Sequence, residues 1–430
     1  MATPPVDSPT SDPEAEPTST DGAGRRTRRF AGVALLGPAF VAAIAYVDPG
    51  NVAANVTAGA RYGFLLVWVL VVACAMAVVI QYQSAKLGIV TGKTLPALLG
   101  ERLPRRRRLA FWGQAEIVAA ATDIAEVVGG AIALQLLFDL PLVVGGAIVG
   151  VISMALLGFQ SRNRQRTFES IIAGLLLIIV VGFLAGLVIN PPSAGNVFSG
   201  LVPRLQGTDT VLLATSMLGA TVMPHAIYLH SALVVDRHGP STTDARRRRL
   251  VRATRWDVVC ALVVAGAVNI SLLLLAAQNL QGKDGTDTIE GAQRAVGDAM
   301  GPVMATVFAV GLLASGLAST SVGCYAGASI MQGLLRIRLP MVVRRLVTLI
   351  PALVVLGSGV DPTWALVISQ VVLSFGIPFA IIPLGRLTRD RALMGEFADS
   401  RSLRGVAIAI AVVVVALNIA LIALTVTGTG

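Results

Sequence analysis

Two short segments of this chain combine a proline with side chains that can bind a cation. Residues 48–51 read Asp-Pro-Gly-Asn, and residues 223–225 read Met-Pro-His. Proline removes a backbone N–H donor and glycine tolerates non-helical angles, so a helix breaks at such a place and frees carbonyl oxygens. If the two segments met, a carboxylate, an amide oxygen, a thioether sulfur and free carbonyls would lie together.

The ligands in these segments favour a transition metal over magnesium or calcium. Asp48 supplies a carboxylate and Asn51 an amide oxygen. The unwound backbone near Ala45 and Ala220 supplies carbonyl oxygens. Oxygen ligands alone suit magnesium or calcium, whereas the soft sulfur of Met223 favours transition metals. The mixed set indicates manganese or iron(II), although a methionine without these neighbours would be interpreted as core packing.

A histidine and a row of acids indicate proton movement near the same place. His225 follows the second proline and is a candidate proton carrier, with a structural histidine as the alternative. Glu116, Asp123 and Glu126 share one side of an apolar segment, because positions three and seven apart fall on one helix face. Acids in a membrane helix are typical of a proton path or of buried ion pairs.

Buried ion pairs would need basic partners, and Arg344 and Arg345 are the candidates. A helix end that faces water is the alternative, and it fits Glu116 better than Glu126. Asn269 and Gln370 are lone amides in later apolar segments. For both, a hydrogen bond between helices and a functional role are equally compatible with the sequence.

The composition places these residues in a membrane protein. The chain has 430 residues, 55% of them hydrophobic and 13% charged, with a mean hydropathy of +0.76. A soluble domain carries about twice that share of charge. The composition excludes a soluble globular enzyme and a disordered chain. A disulfide-linked module is also excluded, because the three cysteines lie far apart. No hydrolase or P-loop motif indicates an enzyme or an ATP-driven pump.

About 20 apolar residues cross a bilayer, and eleven segments of this chain have such a length. They lie near 31–59, 64–88, 109–138, 141–160, 167–189, 209–235, 256–279, 301–335, 341–358, 362–385 and 404–427. The predicted fold class is an all-α membrane protein with eleven transmembrane helices. Residues 1–30 are predicted to form a disordered cytoplasmic tail, and residues 31–430 a single transmembrane domain.

The basic residues set the orientation of these segments. With the N-terminus in the cytoplasm and the C-terminus outside, 30 of the 34 lysines and arginines lie on the cytoplasmic side. Topology then explains the arginine clusters at 105–108 and 246–249, so nucleic-acid binding is not expected. Short loops and a net charge of +10 favour a bacterial inner membrane.

The two proline breaks fall in the first and sixth segments, five segments apart. Because five is odd, equivalent helices would run in opposite directions, which is typical of inverted repeats made of segments 1–5 and 6–10. Discontinuous helices in such repeats place a substrate site near the middle of the membrane. Two ordinary proline kinks are the alternative, and the neighbouring Asp48 and Met223 argue against it.

These motifs resemble those of the NRAMP family of proton-coupled divalent metal transporters, in particular its bacterial manganese transporters. Residues 48–51 match the family's first-helix motif, and residues 223–225 match its sixth-helix motif. The resemblance runs from about residue 31 to residue 426. The sequence departs from the family at Ala226, where many members have Asn, and at Ala328, where many have Gln.

The resemblance implies a fold like that of the amino-acid/sodium symporters. The implied metal ligands are Asp48, Asn51, Met223, Gln370 and the carbonyls of Ala45 and Ala220. The implied proton route runs along His225, Glu116, Asp123, Glu126, Arg344 and Arg345. The expected function is import of Mn²⁺, and of Fe²⁺ and similar ions, coupled to protons by alternating access. No cofactor and no obligate protein partner are expected, and an amino-acid or organic-ion symporter of the same fold is the alternative.

Overall fold

The computed structural model describes residues 38–158, 165–239, 243–337 and 340–427. Every regular element in these ranges is a helix, as the long apolar runs predict. The tail predicted at 1–30 lies outside the described residues, so its disorder stays a prediction.

The helices follow the order of the apolar segments. The first eight are α1 (Pro38–Ile44), α2 (Pro49–Tyr62), α3 (Val67–Thr91), α4 (Leu95–Arg102), α5 (Arg105–Phe138), α6 (Leu142–Gly158), α7 (Gln165–Ile189) and α8 (Ala194–Ser199). The others are α9 (Gly207–Thr221), α10 (Pro224–His238), α11 (Asp244–Asn279), α12 (Ile289–Met300), α13 (Pro302–Leu335), α14 (Met341–Gly357), α15 (Pro362–Thr388), α16 (Arg391–Met394) and α17 (Arg401–Thr427). Short 3-10 turns cover Ala45–Val47, Gly63–Leu66 and Gly395–Phe397.

Seven helical stretches of the described residues are long and apolar enough to cross a membrane. They are Pro49–Thr91, Arg105–Phe138, Gly207–His238, Asp244–Asn279, Pro302–Leu335, Pro362–Thr388 and Arg401–Thr427. Pro38–Val47, Leu142–Leu156 and Gly174–Val188 are shorter apolar helices. Each of the predicted segments is helical over most of its described length, whereas the number of eleven spans stays a prediction.

Several helix ends lie further out than the sequence analysis placed them. α5 begins at Arg105 rather than near 109, and α11 begins at Asp244 rather than near 256. Both extensions are rich in arginine, a good helix former, so the helix continues beyond its apolar run. The loops also contain the short helices α4, α8, α12 and α16, which a count of apolar residues does not reveal.

The centre of the bundle is the contact between α5 and α13, two helices of 34 residues each. Small residues allow their backbones to approach closely, since a Cβ at Gly316 would lie 3.2 Å from the Cα of Gly130. α11 packs on α2 and α3, and α9 packs on α15. Both helices that carry a predicted break are therefore enclosed by other helices.

The short helix α4 lies so close to α13 that only glycine fits at their contact. A Cβ at Gly100 would lie 2.0 Å from the carbonyl oxygen of Gly333, a backbone atom that cannot rotate away. We expect Gly100→Ala to lower the free energy of unfolding by about 1–3 kcal/mol, measured as a lower melting temperature in detergent. Gly113→Ala is the control, because a Cβ there meets no atom within 4 Å. Equal melting temperatures for the two variants would contradict this packing.

Candidate functional site

The first predicted break is present and is centred on Asp48. α1 ends at Ile44, the Ala45–Val47 turn follows, and Asp48 is extended with φ −83° and ψ 167°. The Asp48 carboxylate caps α2, since its Oδ1 accepts the backbone N–H of Asn51 at 2.8 Å. Pro49 stands in the first turn of α2, where its missing N–H leaves no helical hydrogen bond unmade.

The second predicted break lies between α9 and α10. α9 ends at Thr221, and α10 begins at Pro224. Met223 has φ −54° and ψ 124°, because the ring of a following proline disfavours the helical region. The side chain of Met223 is fully buried, as are Ala220 and, on the first break, Ala45. The thioether and the two alanines of the implied ligand set therefore all lie inside the protein.

The side-chain amide of Asn51 joins the two breaks. Its Nδ2 group donates to Asp48 Oδ1 at 2.7 Å and to the carbonyl oxygen of Ala220 at 2.9 Å. Gln370 on α15 lies against both breaks. Its Nε2 group donates to Asp48 Oδ2 at 3.3 Å. A Cβ at Gly219 would lie 2.0 Å from the backbone carbonyl oxygen of Gln370. The structure thus brings together residues from three helices that the sequence analysis singled out.

Two buried amide oxygens beside Asp48 lack a hydrogen-bond donor. Within the described residues, neither Oδ1 of Asn51 nor Oε1 of Gln370 receives a hydrogen bond. Asp48 and these two residues have no exposed surface. A buried polar atom without a partner costs about 1–3 kcal/mol. Carboxylate and amide oxygens in one place are ligands for a divalent cation, which would satisfy both unpaired atoms.

This ligand set differs from the common protein metal sites. In the part of the chain that the structure describes, no three His, Cys, Asp or Glu side chains are grouped so that they could hold a metal. The two breaks instead offer one carboxylate, amide and backbone oxygens, and a single thioether at Met223. Such a set suits a cation that is bound and released again, since each ligand except Asp48 is neutral.

Neighbouring helices satisfy the carbonyl groups that the first break frees. Asn269 on α11 donates to the Tyr46 carbonyl oxygen at 2.6 Å, and Ser315 on α13 donates to the Val47 carbonyl oxygen at 2.6 Å. Asn55 on α2 holds the amide of Asn269 through a further hydrogen bond of 3.0 Å. Asn269 is therefore a support for the broken helix. The sequence analysis did not single out Ser315, because a serine in an apolar helix carries no distinctive signal.

The ion pairs predicted for the acid-bearing helix α5 are present. Arg345 Nη1 lies 2.9 Å from Asp123 Oδ1, and both side chains are buried. Arg344 Nη2 lies 3.3 Å from Glu116 Oε1, and the Glu116 side chain is 28% exposed. Glu116 thus lies at the wetter end of the row, as its sequence position suggested.

The third acid, Glu126, lies next to the first break. It is fully buried and forms no ion pair within the described residues. One turn further along α5, a Cβ at Gly129 would lie 2.0 Å from the Cβ of Pro49. The row of acids therefore extends from a half-exposed glutamate to the turn of α5 that touches the Asp48 break.

The two histidines of α10 contact different helices. His225 Nδ1 lies 3.3 Å from the Thr122 hydroxyl on α5, next to Asp123. His230 Nδ1 lies 2.8 Å from Gln81 Oε1 on α3, so the two rings are not joint ligands. Gln81 also donates to the hydroxyl of Tyr46 on the broken helix. The sequence analysis missed Gln81, although an amide in the apolar run of α3 was a usable signal.

Charged residues close the site at the end of α2 away from Asp48. Arg61 Nη2 lies 2.8 Å from Asp287, and its Nη1 lies 3.3 Å from Asp209 on α9. The Tyr62 hydroxyl donates to the same Asp209 at 2.7 Å. These contacts join the two broken helices at one end, while the hydrogen bonds among Tyr46, Gln81 and His230 join them at the other. The site is closed to solvent on both sides.

Residues 39–424 match the Nramp family model, described as "Natural resistance-associated macrophage protein-like". The chain belongs to the Nramp family. Its similarity to that family covers both breaks and the row of acids. A chain of this family with several apolar spans is an integral membrane protein, as the composition predicted.

Individual Nramp-related proteins are similar over almost the whole chain. The divalent metal cation transporter MntH of Mycobacterium tuberculosis is 59% identical over 394 residues, 92% of this chain and 92% of that protein. The crystal structure of a manganese transporter from Eremococcus coleocola, in complex with an aromatic bis-isothiourea substituted compound, has a TM-score of 0.81 and 30% identity. It covers 94% of this chain and 87% of that one. Both are named as transporters, in agreement with the prediction that this chain is not an enzyme.

A more distant likeness concerns the fold alone. Mhp1, a nucleobase-cation-symport-1 family transporter in a closed conformation, has a TM-score of 0.55 and 17% identity, covering 81% of this chain and 77% of that chain. The chain therefore shares its helical architecture with a transporter outside its own family, in line with the symporter-like fold that its resemblance to the NRAMP family implied.

We expect Asn269→Ala to destabilise the broken helix. The change leaves the Tyr46 carbonyl oxygen buried and unpaired, so the free energy of unfolding should fall by about 1–3 kcal/mol. Thermal unfolding of the purified protein in detergent measures it. Asn279→Ala on the same helix is the control, because Asn279 pairs with a partly buried amide on Asn190. An equal loss of stability in both variants would contradict the role of Asn269 as a support for the broken helix.

Proposed function

We propose that this chain is a secondary active transporter that imports divalent transition-metal ions together with protons. Mn²⁺ is its main substrate, and Fe²⁺ and similar ions are also carried. The observation that carries the proposal is the meeting of two broken helices around Asp48, with the unpaired oxygens of Asn51 and Gln370 beside it. The names of the Mycobacterium tuberculosis and Eremococcus coleocola relatives support the choice of metal.

The cation binds where the amide of Asn51 now bridges two acceptors. Nδ2 lies 2.7 Å from Asp48 Oδ1 and 2.9 Å from the Ala220 carbonyl oxygen. Its N–H groups therefore occupy the position between these two oxygens that a cation would take. Rotation of the Asn51 amide turns its unpaired Oδ1 toward the ion. Gln370, Met223 and the carbonyls of Ala45 and Ala220 complete the proposed ligand set, in which the sulfur disfavours Mg²⁺ and Ca²⁺.

Protons take a route along α5. His225 contacts Thr122, next to the buried Asp123–Arg345 pair, and Glu126 lies one turn from the Pro49 contact. The Arg344–Glu116 pair stands at the half-exposed end of the row. The two arginines stabilise the ionised acids, and the proton is exchanged between the site and that end.

Alternating access follows from the arrangement of the spans. We propose eleven spans with the N-terminus in the cytoplasm and the C-terminus outside, in a bacterial inner membrane. Spans 1–5 and 6–10 are inverted repeats, and the two breaks belong to their equivalent first helices. The distribution of arginine supports this orientation. The closed site then opens to one side at a time as the repeats rock against each other.

Metal selectivity tests the proposed ligands. We expect purified wild type in proteoliposomes to take up Mn²⁺ under an inward proton gradient despite excess Mg²⁺ or Ca²⁺. Asp48→Asn removes the only charged ligand, so uptake should fall about a hundredfold or more. Met223→Ala should keep uptake but lose the discrimination against Mg²⁺ and Ca²⁺, because only oxygen ligands remain.

Met217→Ala is the matched control for the sulfur. Met217 is fully buried on the same broken helix but lies away from the break, so its loss should leave selectivity unchanged. Equal transport of Mg²⁺ by wild type, or unchanged selectivity in Met223→Ala, would overturn the soft-ligand role. Uptake of an amino acid in place of metal would identify the alternative symporter.

Glu126→Gln tests the proton route. The variant keeps the size of the side chain and breaks no ion pair within the described residues, so we expect Mn²⁺ binding to remain. Stimulation of Mn²⁺ uptake by an inward proton gradient should be lost, because a side-chain amide does not take up or release a proton near neutral pH. Glu116→Gln, at the half-exposed end, should reduce the stimulation less. Full stimulation in Glu126→Gln would exclude Glu126 from the route.

A further inference from the structure

A groove lies between α15 and α17, away from the metal site. It has a volume of about 460 Å³, and its walls include Ile382 and Gly385 on α15 and Ile408, Ala411 and Val412 on α17. Ile382, Ile408 and Val412 are exposed apolar side chains. A Cβ at Gly385 would meet no atom within 4 Å, so the groove is open at that point.

Three arginines stand at one end of this groove. Arg386 is in the last turn of α15, Arg389 caps that helix, and Arg404 is in the first turn of α17. All three line the groove and are exposed, whereas the carboxylate of Asp399, which also lines the groove, is buried. A surface that is basic at one end and apolar along its length matches an amphiphile with an anionic head.

The acidic side chains between Arg386 and Arg404 already form ion pairs with lysine or arginine side chains of other helices. The three pairs are Asp390 with Arg102 at 3.0 Å, Glu396 with Arg248 at 3.3 Å, and Asp399 with Lys86. The hydrogen bond from Arg102 lowers the pKa of Asp390, so that acid is ionised and occupied. Within the described residues, the three groove arginines form no ion pair with a carboxylate, and their charge is available to an external anion.

We infer that the groove binds an anionic phospholipid, with its phosphate against Arg386, Arg389 and Arg404 and one acyl chain along α17. Guanidinium groups bind phosphate through paired hydrogen bonds, and basic pockets between membrane helices recognise anionic head groups. From Arg404 to Ile419, which lines the far end, 15 residues of helix rise about 22 Å. That length is about the depth of one leaflet with its head groups.

The site lies in the leaflet that the proposed orientation makes cytoplasmic, and the inference uses nothing else from the proposed function. A zwitterionic lipid would leave the positive charge of the arginines unbalanced. A second copy of the chain, related by a two-fold axis at this groove, would bring the same arginines of both copies together and repel itself. Charge complementarity therefore favours the anionic lipid.

Native mass spectrometry of the full chain measures the preference directly. The protein in detergent is mixed with equal amounts of phosphatidylglycerol and phosphatidylcholine. We expect wild type to retain phosphatidylglycerol at least about tenfold better, and each Arg→Gln change in the groove to reduce that ratio by about fivefold. Gly385→Leu fills the groove without changing charge and should reduce phosphatidylglycerol binding as well.

Two control variants separate this site from general attraction. A triple change of Arg105, Arg106 and Arg107 to Gln removes three charges, more than any single groove variant, from the exposed start of α5, and Gly113→Leu adds the same side chain as Gly385→Leu at an open position. Both should retain the wild-type preference. Equal loss in the charge control, no preference in wild type, displacement of the lipid by inorganic phosphate, or a dimer that Gly385→Leu dissociates would each overturn the inference.

Discussion

The structure depends on hydrogen-bond donors for the unwound backbone in the interior of a membrane protein. A helix that breaks at Asp48 leaves carbonyl oxygens that no water can reach, and hydrocarbon offers them no donor. Asn269 and Ser315 supply donors from α11 and α13, and Asn51 supplies one to Ala220 across the two breaks. The proposed cation site and the support of the broken helices are therefore one hydrogen-bonded system, in which Asn51 takes part in both.

The buried acids Asp123 and Asp48 differ in their surroundings, since one is paired and the other lies at the proposed cation site. Asp123 is paired with Arg345, and breaking such a buried pair typically costs about 3–5 kcal/mol. Among the described residues, Asp48 accepts hydrogen bonds from the neutral side chains of Asn51 and Gln370 and forms no ion pair. The arginine on α14 holds one acid in place, whereas the acid at the break is left available for an incoming ion. Their different partners separate a carboxylate that is held in an ion pair from the carboxylate that is the proposed metal ligand.

The sequence predicted the positions of both breaks, because a proline beside polar residues is conspicuous in an apolar run. It also indicated Arg344 and Arg345 as partners for the acids of α5, but not which arginine meets which acid. It did not predict Ser315 or Gln81, whose roles depend on which helices pack together rather than on local composition. The short helix α4 escaped prediction for a similar reason, since its contact with α13 is set by glycine and not by apolar length. The ends of α5 and α11 were misplaced because arginine-rich turns remain helical outside the apolar core.

The contacts that close the two ends of the site differ in strength, and this difference favours opening at one end. At one end Arg61, Asp209 and Asp287 form ion pairs whose side chains are each more than a third exposed. Such pairs contribute about 0–1 kcal/mol each and weaken with salt. At the other end Tyr46, Gln81 and His230 are buried, and the backbone N–H of Ala39 on α1 donates to Asp257 at 3.1 Å. Separating buried polar groups without replacement costs more, so we expect the end near Arg61 to open more readily in the proposed alternating access. In the proposed orientation that end faces outside, the side from which the proposed import takes up metal.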